Sequence, residues 1–307
     1  MMKPLFVVAL LCAPALADPQ GATEHARLEL APAGHAFKQL QIENPLGDVK
    51  VEGYDGTAIM IETHKQAPDD DTLERLRVSL VPNPDGTVRI TTTADHTAES
   101  RPVPRSAVRI DLVIRAPRNA HVDVTVSAGK LEVVNMDGGG DLDSASGPLS
   151  VRNMSGELVT NTVSGPMSLA QVFGSVDAAT ISADLDLDTI AGEKLIASAN
   201  HGRIAGRRVR SREIELTTTD GKIMLEAEAA LRGHLVVSSL RGDVEVHLHR
   251  HGAVVLRARG TKVDLGQQQT VRPQPNGWTE ATIGQGDHPA LVELRSTYGM
   301  VQFTVVE

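Results

Sequence analysis

Aliphatic residues recur at fixed intervals between Ser127 and Lys262, in the alternation with polar residues that is typical of β-strands. When this segment is aligned on a recurring glycine, the aliphatic residues fall into three columns. Stacked columns of this kind predict a core in which equivalent side chains lie about 4.8 Å apart. The first column is Leu131, Leu149, Met167, Leu185, Ile204, Ile223, Val244 and Val263; the second is Val133, Val151, Leu169, Leu187, Gly206, Leu225, Val246 and Leu265; the third is Met136, Met154, Val172, Ile190 and Val209.

Two sets of glycines mark the same period of about 18 to 21 residues. In the first set, Ala183 replaces the glycine at one position. The glycines of the second set follow those of the first set by half a period. A fixed period of this length predicts a solenoid, with the glycines at corners where other residues would be strained. The crossover rule favours a right-handed coil. The first set is Gly129, Gly147, Gly165, Gly202, Gly221, Gly242 and Gly260, and the second is Gly138, Gly156, Gly174 and Gly192.

The residues before 127 show strand alternation without this period. After a polar lead-in at 18–34, turn residues separate seven short runs, which predict a small N-terminal domain of antiparallel-type strands. The acidic run Asp69 to Asp71 predicts the cap of a short helix. The predicted strands are Phe37 to Glu43, Asp48 to Glu52, Ala58 to Thr63, Arg77 to Val81, Thr87 to Thr93, Val108 to Ile114 and Val122 to Val126.

The period fails after Gly266. A polar loop follows, and strands at Leu291 to Leu294 and Met300 to Val305 are expected to cap the last rung. The predicted organisation is therefore a signal peptide at 1–17, a lead-in and β-strand domain at 18–126, solenoid repeats at 127–266, and a C-terminal loop with capping strands at 267–307. The fold class is all-β, a right-handed parallel β-solenoid preceded by a small β-strand domain.

The first 17 residues, MMKPLFVVALLCAPALA, have the basic start, apolar run and small-residue cleavage site of a secretory signal peptide. We expect export, with Asp18 as the first mature residue and a periplasmic, cell-surface or secreted location. Cys12 is the single cysteine. As a lipidated residue it would follow a small side chain, whereas Leu11 precedes it, so export without lipidation is favoured. No other segment is long and apolar enough to predict a transmembrane span.

Charge and aromatic content exclude one class of partner. The chain has a formal net charge of -9 at pH 7, and aromatic residues make up 2% of it. Nucleic-acid binding needs basic surfaces and aromatic stacking platforms, so we expect no nucleic-acid partner. The scarcity of rings also fits a narrow core filled by aliphatic side chains.

The repeat phrase itself resembles that of a known family. The phrases SAGKLEVVNM, SGPLSVRNM, SGPMSLAQV and SADLDLDTI, preceded by NPLGDVKVEGYDG and VRIDLVIRAPRNAHVDVTVSAG, resemble the putative-adhesin family of bacterial β-strand-repeat envelope proteins. The resemblance covers about Phe37 to Val305, and the function of that family is unknown. It implies a β-solenoid exported to the envelope and supplies no catalytic motif. The departures from the pattern are Ala183, Gly206 and the irregular rungs between Gly202 and Gly252.

One group of polar residues has the spacing of metal ligands. Glu245, His247, His249 and His251 alternate along one strand and therefore share a face. Alternate histidines chelate zinc or copper when further ligands approach. The other interpretation, which we favour, is a solvated face with stacked charges. Two outer columns support it, namely Asp188, Arg207, Glu226 and His247, and Asp184, Arg203, Lys222, Asp243 and Lys262.

Two acidic stretches raise the alternative of a calcium-binding site. The run GGGDLD at 138–143 is similar to the glycine-aspartate repeats of calcium-binding β-rolls, but it occurs once. Asp184, Asp186 and Asp188 alternate with leucines, as outward residues of a strand do. We therefore predict no metal and no cofactor.

Catalysis has little support in the sequence. Hydroxyl residues beside the glycines are expected to hydrogen-bond in turns rather than to act as nucleophiles. We predict a non-catalytic envelope protein, an adhesin or scaffold that binds a protein or glycan of the envelope or of a surface. The alternative is a carbohydrate-active β-helix enzyme, a lyase or hydrolase. The hydroxyl residues are Ser127, Ser146, Ser164, Ser182, Thr218 and Thr219.

Overall fold

The computed structural model describes residues 8–12, 21–32, 36–95, 104–266 and 270–306. The chain divides into two compact units, residues 1–150 and 151–307, called unit 1 and unit 2 below. The described residues are overwhelmingly in β-strands, which confirms the all-β prediction.

Unit 1 contains eleven described strands, one short helix and a 3-10 turn at Arg105–Ala107. The elements are β1 (Val8–Cys12), β2 (Ala22–Leu30), β3 (Gln39–Asn44), β4 (Val49–Tyr54), β5 (Ile59–Ala67), α1 (Asp70–Leu73), β6 (Leu76–Pro82), β7 (Thr87–Ala94), β8 (Arg109–Pro117), β9 (His121–Ala128), β10 (Leu131–Met136) and β11 (Gly140–Ser146).

The strand β12 (Leu149–Ser155) spans the boundary, and the other described strands belong to unit 2. They are β13 (Leu158–Thr162), β14 (Met167–Phe173), β15 (Val176–Thr180), β16 (Leu185–His201), β17 (Ile204–Asp220), β18 (Ile223–Ala229), β19 (His234–Ser239), β20 (Val244–Arg250), β21 (Val254–Arg259), β22 (Val263–Asp264), β23 (Thr270–Pro273), β24 (Thr279–Ile283), β25 (Ala290–Ser296) and β26 (Val301–Val306).

Parallel stacking begins earlier than the sequence predicted. In unit 1, β3 pairs in parallel with β7 and β9, and β4 pairs in parallel with β8 and β10. The antiparallel prediction is therefore wrong for β3 and β4, although it holds for β5 with β8 and for β6 with β7. Side chains alternate in the same way in parallel and antiparallel strands, so alternation does not distinguish the two. The connections between these strands differ in length, so the sequence has no repeat period that would indicate parallel pairing.

The predicted lead-in contains a strand. Residues 22–30 form β2, which pairs antiparallel with β5 from Ala22 opposite Ala67 to Leu30 opposite Ile59. Its sequence is polar because most of its side chains are partly or fully exposed, with only Ala22 and Leu30 buried. Within the predicted signal peptide, the described residues Val8–Cys12 form β1, which pairs antiparallel with β2. Other parts of that peptide lie outside the described residues, and export stays a prediction.

The predicted short helix is confirmed as α1. The side chain of Asp69 caps it by accepting a hydrogen bond from the backbone N–H of Thr72 at 2.7 Å. The pKa of Asp69 is lowered first by a hydrogen bond with the side chain of Thr72 and second by this backbone hydrogen bond.

The aliphatic columns form the core, as predicted. The third column is almost fully buried from Met136 to Val209, and the first two are buried in each unit as far as Val244 and Val246. Equivalent residues are register neighbours, for example Met167 with Leu185. Gly206 is buried in the second column, where an added Cβ would press on the side chain of Leu225. The parallel, solenoid-like stacking is therefore present, while right-handedness and a separate N-terminal domain stay predictions.

The corner glycines stack directly on one another. A Cβ on Gly221 would overlap the carbonyl oxygen of Gly202, and a Cβ on Gly242 would overlap the carbonyl oxygen of Gly221. Because the backbone of one rung lies against the backbone of the next at Gly221 and Gly242, a side chain at either position would force the two rungs apart. The glycine ladder is therefore a requirement of close approach at these positions.

A third corner, which no glycine marks, lies between the second and third core columns. There the chain passes through a left-handed residue with φ between 52° and 62°. This residue is an extra one, so the third column follows the second after three positions instead of two. The ladder ends at Arg208, because β18 and β20 contain no residue with positive φ, and the register of β17 on β18 shifts between Gly206 and Val209. Its members are Asn135, Asn153, Gln171, Thr189 and Arg208.

Buried hydroxyls brace the glycine corner. Three residues before the corner, Ser239 donates its hydroxyl to the carbonyl of Gly221 at 3.2 Å and accepts from the backbone N–H of Gly242 at 2.7 Å. Ser296 makes the equivalent pair of hydrogen bonds with Gly242 and Gly299. At the same position, Ser144 donates to the carbonyl of Gly147 and Thr218 donates to the carbonyl of Gly202, both at 3.3 Å. Thr162 and Thr180 also fill this buried position, but their hydroxyls make no hydrogen bond with the described residues.

Replacement of Ser239 by alanine should lower the free energy of unfolding by about 1–3 kcal/mol, because it leaves the backbone N–H of Gly242 without its acceptor. Urea denaturation measures the loss. The control is Ser238→Ala, one position earlier and only half-buried, which should change stability by less than about 0.5 kcal/mol. Equal losses in the two variants would contradict the bracing role.

The structure places the two predicted capping strands inside the stack. β25 pairs in parallel with β19 on one side and β21 on the other, and β26 pairs in parallel with β20 and β22. Val301 therefore lies between Val244 and Val263 in the first core column. The insertion gives both strands two hydrogen-bonded neighbours and fully buries Phe303.

A hairpin formed by β23 and β24 covers the free edge of β21. β24 pairs antiparallel with β21, and β23 pairs antiparallel with β24. The single tryptophan, Trp278, lies in this hairpin, where the guanidinium of Arg257 makes a cation–π contact 5.3 Å from the centroid of its ring. Arg257 also contacts Glu280 at 3.1 Å. The polar segment after Gly266 thus supplies the edge protection that the sequence assigned to the last strands.

Candidate functional site: the arginine cleft and the corner ridge of unit 2

An open cleft of about 450 Å³ lies on the outer surface of unit 2, where the third corner ends. It coincides with the register shift between β17 and β18. We call it the arginine cleft. Its walls come from three strands in parallel register, namely Arg208 and Arg210 of β17, Glu226, Ala227 and Glu228 of β18, and His249 and Arg250 of β20, together with His251 and Val306.

Charged contacts connect the strands across this cleft. Arg210 contacts Glu228 at 2.5 Å, and the Nε2 atom of His251 lies 3.5 Å from the same carboxylate. The Nε2 atom of His249 lies 3.5 Å from Glu226. Arg208 forms an ion pair with Asp188. All these side chains are at least one-quarter exposed, so a ligand can reach them from solvent.

The three histidines of the group with metal-like spacing face three different carboxylates. His247 lies 3.1 Å from Glu245, whereas His249 and His251 face Glu226 and Glu228. Lys222 contacts Glu245 at 2.6 Å and is the first cause of the lowered pKa of that carboxyl, with His247 second. Within the described residues, no group of three or more His, Cys, Asp or Glu side chains is placed to hold a metal ion.

The aspartates of the calcium alternative are paired with basic side chains. Arg203 contacts both Asp184, at 3.6 Å, and Asp186, at 3.0 Å. In the GGGDLD run, Asp141 lies 3.0 Å from the Nε2 atom of His121.

The predicted outer columns follow the strand register only in part, because β26 lies between β20 and β22 and separates Asp243 from Lys262. The ion pairs also differ from those that the columns suggest. Asp188 is the register neighbour of Arg207, yet its ion pair is with Arg208. Lys222 pairs with Glu245 rather than with Asp243, whose side chain accepts a hydrogen bond from the backbone N–H of Met300. Long side chains reach diagonal neighbours, so register alone does not fix the pairs.

A second surface follows the outer side of the glycine corner in unit 2. Exposed apolar side chains stand here beside a charged group, and backbone hydrogen bonds connect the successive turns. We call it the corner ridge. Its apolar members are Val163, Ile181, Leu240 and Tyr298, and its charged members are His201, Asp220 and Arg241.

The charged members of the ridge hold one another. Asp220 forms a two-point contact with Arg241, and its Oδ2 atom lies 3.0 Å from Nδ1 of His201. The hydrogen bond from Arg241 is the first cause of the lowered pKa of Asp220. Tyr298 is 69% exposed, the highest value among the exposed large hydrophobic side chains of the described residues. Tyrosine and arginine are typical of binding hot spots.

Unit 1 has a titratable group of its own. The rings of His25 on β2 and His64 on β5 stack with centroids 4.0 Å apart. Burial lowers the pKa of His64 first, and the charge of His25 lowers it further, with Arg109 acting in the same direction and Asp111 opposing them. The two rings are therefore best accommodated when His64 is neutral.

Acidification should destabilise the pairing of β2 with β5. The pKa of His64 is lower in the folded chain than in the unfolded chain, so folding releases protons between these two values. The contribution of His64 to folding stability is fully present above its pKa in the unfolded chain, about 6.5. This contribution is lost as the pH falls through its lower pKa in the folded chain. We expect the pH dependence of Tm in this window to flatten in His64→Gln. His234→Gln, at an exposed histidine of unit 2, should leave it unchanged.

The hydroxyl residues singled out in the sequence lie at turns. Ser146 donates to the carbonyl of Ser127 at 3.0 Å, and Thr218 donates to the carbonyl of Gly202 at 3.3 Å. Such bonds agree with the turn-residue interpretation.

A family model confirms the resemblance seen in the repeat phrases. The model described as Toastrack DUF4097 matches residues 65–272, which is more than half of the chain. The chain belongs to the Toastrack DUF4097 family. Its function is not established. A comparison with curated proteins found no match.

Several solved structures are similar to this Toastrack chain at low identity. A putative cell adhesion protein from Clostridium sporogenes is 11% identical, covering 92% of this chain and 100% of its own, with a TM-score of 0.28. A putative adhesin from Bacteroides fragilis is 10% identical, covering 91% and 96%, with a TM-score of 0.38. A putative lipid binding protein from Parabacteroides distasonis is 11% identical, covering 93% and 97%, with a TM-score of 0.43.

The sequence analysis singled out residues that lie near the cleft, but it predicted neither the arginine cleft nor the corner ridge as a binding site. The third column of aliphatic residues stops at Val209, and this stop was the signal that the corner ends there. The corner ridge was indicated by apolar residues two positions before the corner, at Val163, Ile181 and Leu240. Within the described residues, no helix has the length and apolar character of a membrane span.

Proposed function

We propose that this Toastrack protein is a non-catalytic exported protein of the cell envelope that acts as an adhesin or scaffold. In this proposal it binds its partner along the corner ridge. The observation that carries the proposal is two pairs of exposed apolar side chains on adjacent turns, Val163 with Ile181 and Leu240 with Tyr298, beside the charged group of the ridge. Exposed apolar residues gathered on one surface and flanked by charges are typical of interaction sites.

Photocrosslinking in cells tests the binding. A photoreactive residue in place of Tyr298 should capture a discrete partner, whereas the same residue in place of Thr304, on β26, should not. Capture at both positions, or at neither, would remove the ridge as the binding surface. Because the ridge residues are exposed, the substitution should leave folding intact, and a melting curve checks this.

Export has its own test. Fractionation of the cells, followed by N-terminal sequencing of the purified protein, should find a chain beginning at Asp18 outside the cytoplasm. A chain that keeps its first residues and stays in the cytoplasm would contradict export.

One observation favours a carbohydrate-active enzyme as the second candidate. Glu226 and Glu228 alternate on one strand and both line the arginine cleft. Their spacing along a strand is roughly 6.5–7 Å, which lies within the separation of carboxyl groups used by inverting glycosidases. Release of oligosaccharides from pectin, alginate or peptidoglycan by the purified protein, abolished in Glu228→Gln, would establish this activity.

A further inference from the structure

The arginine cleft combines two kinds of polar group within one concave space. Arg208, Arg210 and Arg250 supply cationic donors, while Glu226 and Glu228 supply acceptors. The volume of about 450 Å³ lies in the range of about 300–1,000 Å³ that is common for small-ligand sites. The cleft contains three arginines and two glutamates, and Asp188, which pairs with Arg208, adds a third carboxylate beside it.

This mixed set restricts the chemistry of a ligand. A guanidinium binds a carboxylate through two parallel hydrogen bonds, so the arginines fit a carboxylate group. The glutamates accept hydrogen bonds and repel a bare anion such as phosphate, so they fit hydroxyl donors. The imidazoles of His249 and His251 can serve hydroxyl groups as donors or acceptors. A ligand with one carboxylate and several hydroxyls satisfies all of them.

The preceding rung fixes the side chain of Arg208 at the cleft. Arg208 is left-handed with φ 52°, and its guanidinium donates to the hydroxyl of Thr189 at 3.0 Å and forms an ion pair with Asp188. The equivalent corners use Asn153, Gln171 and Thr189. The change to arginine occurs at the one corner of this ladder whose residue lines the cleft.

We infer that the arginine cleft binds an acidic sugar unit, a pyranose that carries a carboxylate, as part of a glycan. The carboxylate lies between Arg208 and Arg210, and the ring hydroxyls donate to Glu226 and Glu228. The inference deepens the proposed function, since it names a partner class for an envelope protein, but it concerns a different surface from the corner ridge.

The test is calorimetric titration of the purified chain with three probes. A trimer of galacturonate should bind at least tenfold more tightly than a trimer of galactose, because only the former has carboxylates. Its affinity should fall with added salt, and equimolar inorganic phosphate should not compete. Binding of the neutral trimer with equal affinity, full competition by phosphate, or no binding of the acidic trimer would each overturn the inference.

Matched variants locate the site. Arg208→Gln should weaken galacturonate binding at least tenfold while preserving the fold, because Gln171 occupies the same left-handed position one rung earlier. Arg210→Gln should weaken it similarly. The control is Arg212→Gln on the same strand, an exposed arginine that contacts Glu193 and does not line the cleft. A loss in the control as large as in Arg208→Gln would overturn the assignment.

The outcomes separate this inference from the proposed function. If galacturonate fails to bind while crosslinking from Tyr298 still captures a partner, the cleft assignment fails and the binding function stands. If galacturonate binds and crosslinking fails, the cleft assignment stands without the ridge.

Discussion

Replacement of Gly242 by alanine is expected to lower the free energy of unfolding by about 3 kcal/mol, although it adds a single methyl group. The reason is geometric, since a Cβ on Gly242 would overlap the carbonyl oxygen of Gly221 in the preceding rung. Relief of the overlap requires two rungs to move apart, which weakens the hydrogen bonds between them. For a unit of this size, the drop in Tm should be roughly 6–12 °C.

The control is the same substitution at Gly286. There the nearest atoms to an added Cβ belong to Ala253 at 3.7 Å, an ordinary van der Waals distance, and φ lies outside the left-handed region. Gly286→Ala should change stability by less than about 0.5 kcal/mol. If thermal melts of the two variants coincide, the close approach at the corner does not limit stability.

Replacement of Phe303 by alanine is expected to cost about 3–5 kcal/mol. Phe303 is fully buried on β26, between the rungs of β20 and β22. Loss of its ring leaves a cavity inside the stack, because neighbouring rungs are fixed by their backbone hydrogen bonds. A strand at a solvent-exposed end could relax into such a cavity at much lower cost.

Leu291→Ala on the neighbouring strand β25 is the matched variant. Its side chain is 50% exposed, so we expect a loss below about 1 kcal/mol in urea denaturation. A comparably small loss in Phe303→Ala would show that β26 is a peripheral strand, as the sequence alone suggested.

The inserted strands also connect stability with function. Tyr298 lies on the turn between β25 and β26 and completes the corner ridge, while Val306 at the end of β26 lines the arginine cleft. Variants that loosen these strands should therefore disturb both surfaces. Substitutions of exposed residues therefore separate the two binding surfaces better than substitutions in the core.

The outward orientation of many residues of the candidate site could be predicted from the sequence. The outward positions of His247, His249 and Glu226 could be assigned from alternation, because a strand has only two faces. Their partners could not be assigned, since Asp188 reaches Arg208 rather than its register neighbour Arg207. Side-chain length and the local turn of the backbone decide such pairs, and neither has a period in the sequence.

Sequence patterns were enough to predict the repeating parts of this protein: the all-β class, the aliphatic core columns, the glycine corners and the short capped helix. Each of these depends on local conformation or on one repeated distance, so each leaves a pattern in the chain. Where the period is absent, the neighbours of each strand are known only from the folded structure. It placed β3 and β4 in parallel pairs and inserted β25 and β26 between earlier rungs, because pairing between distant segments depends on which edges remain free, and no local pattern records that.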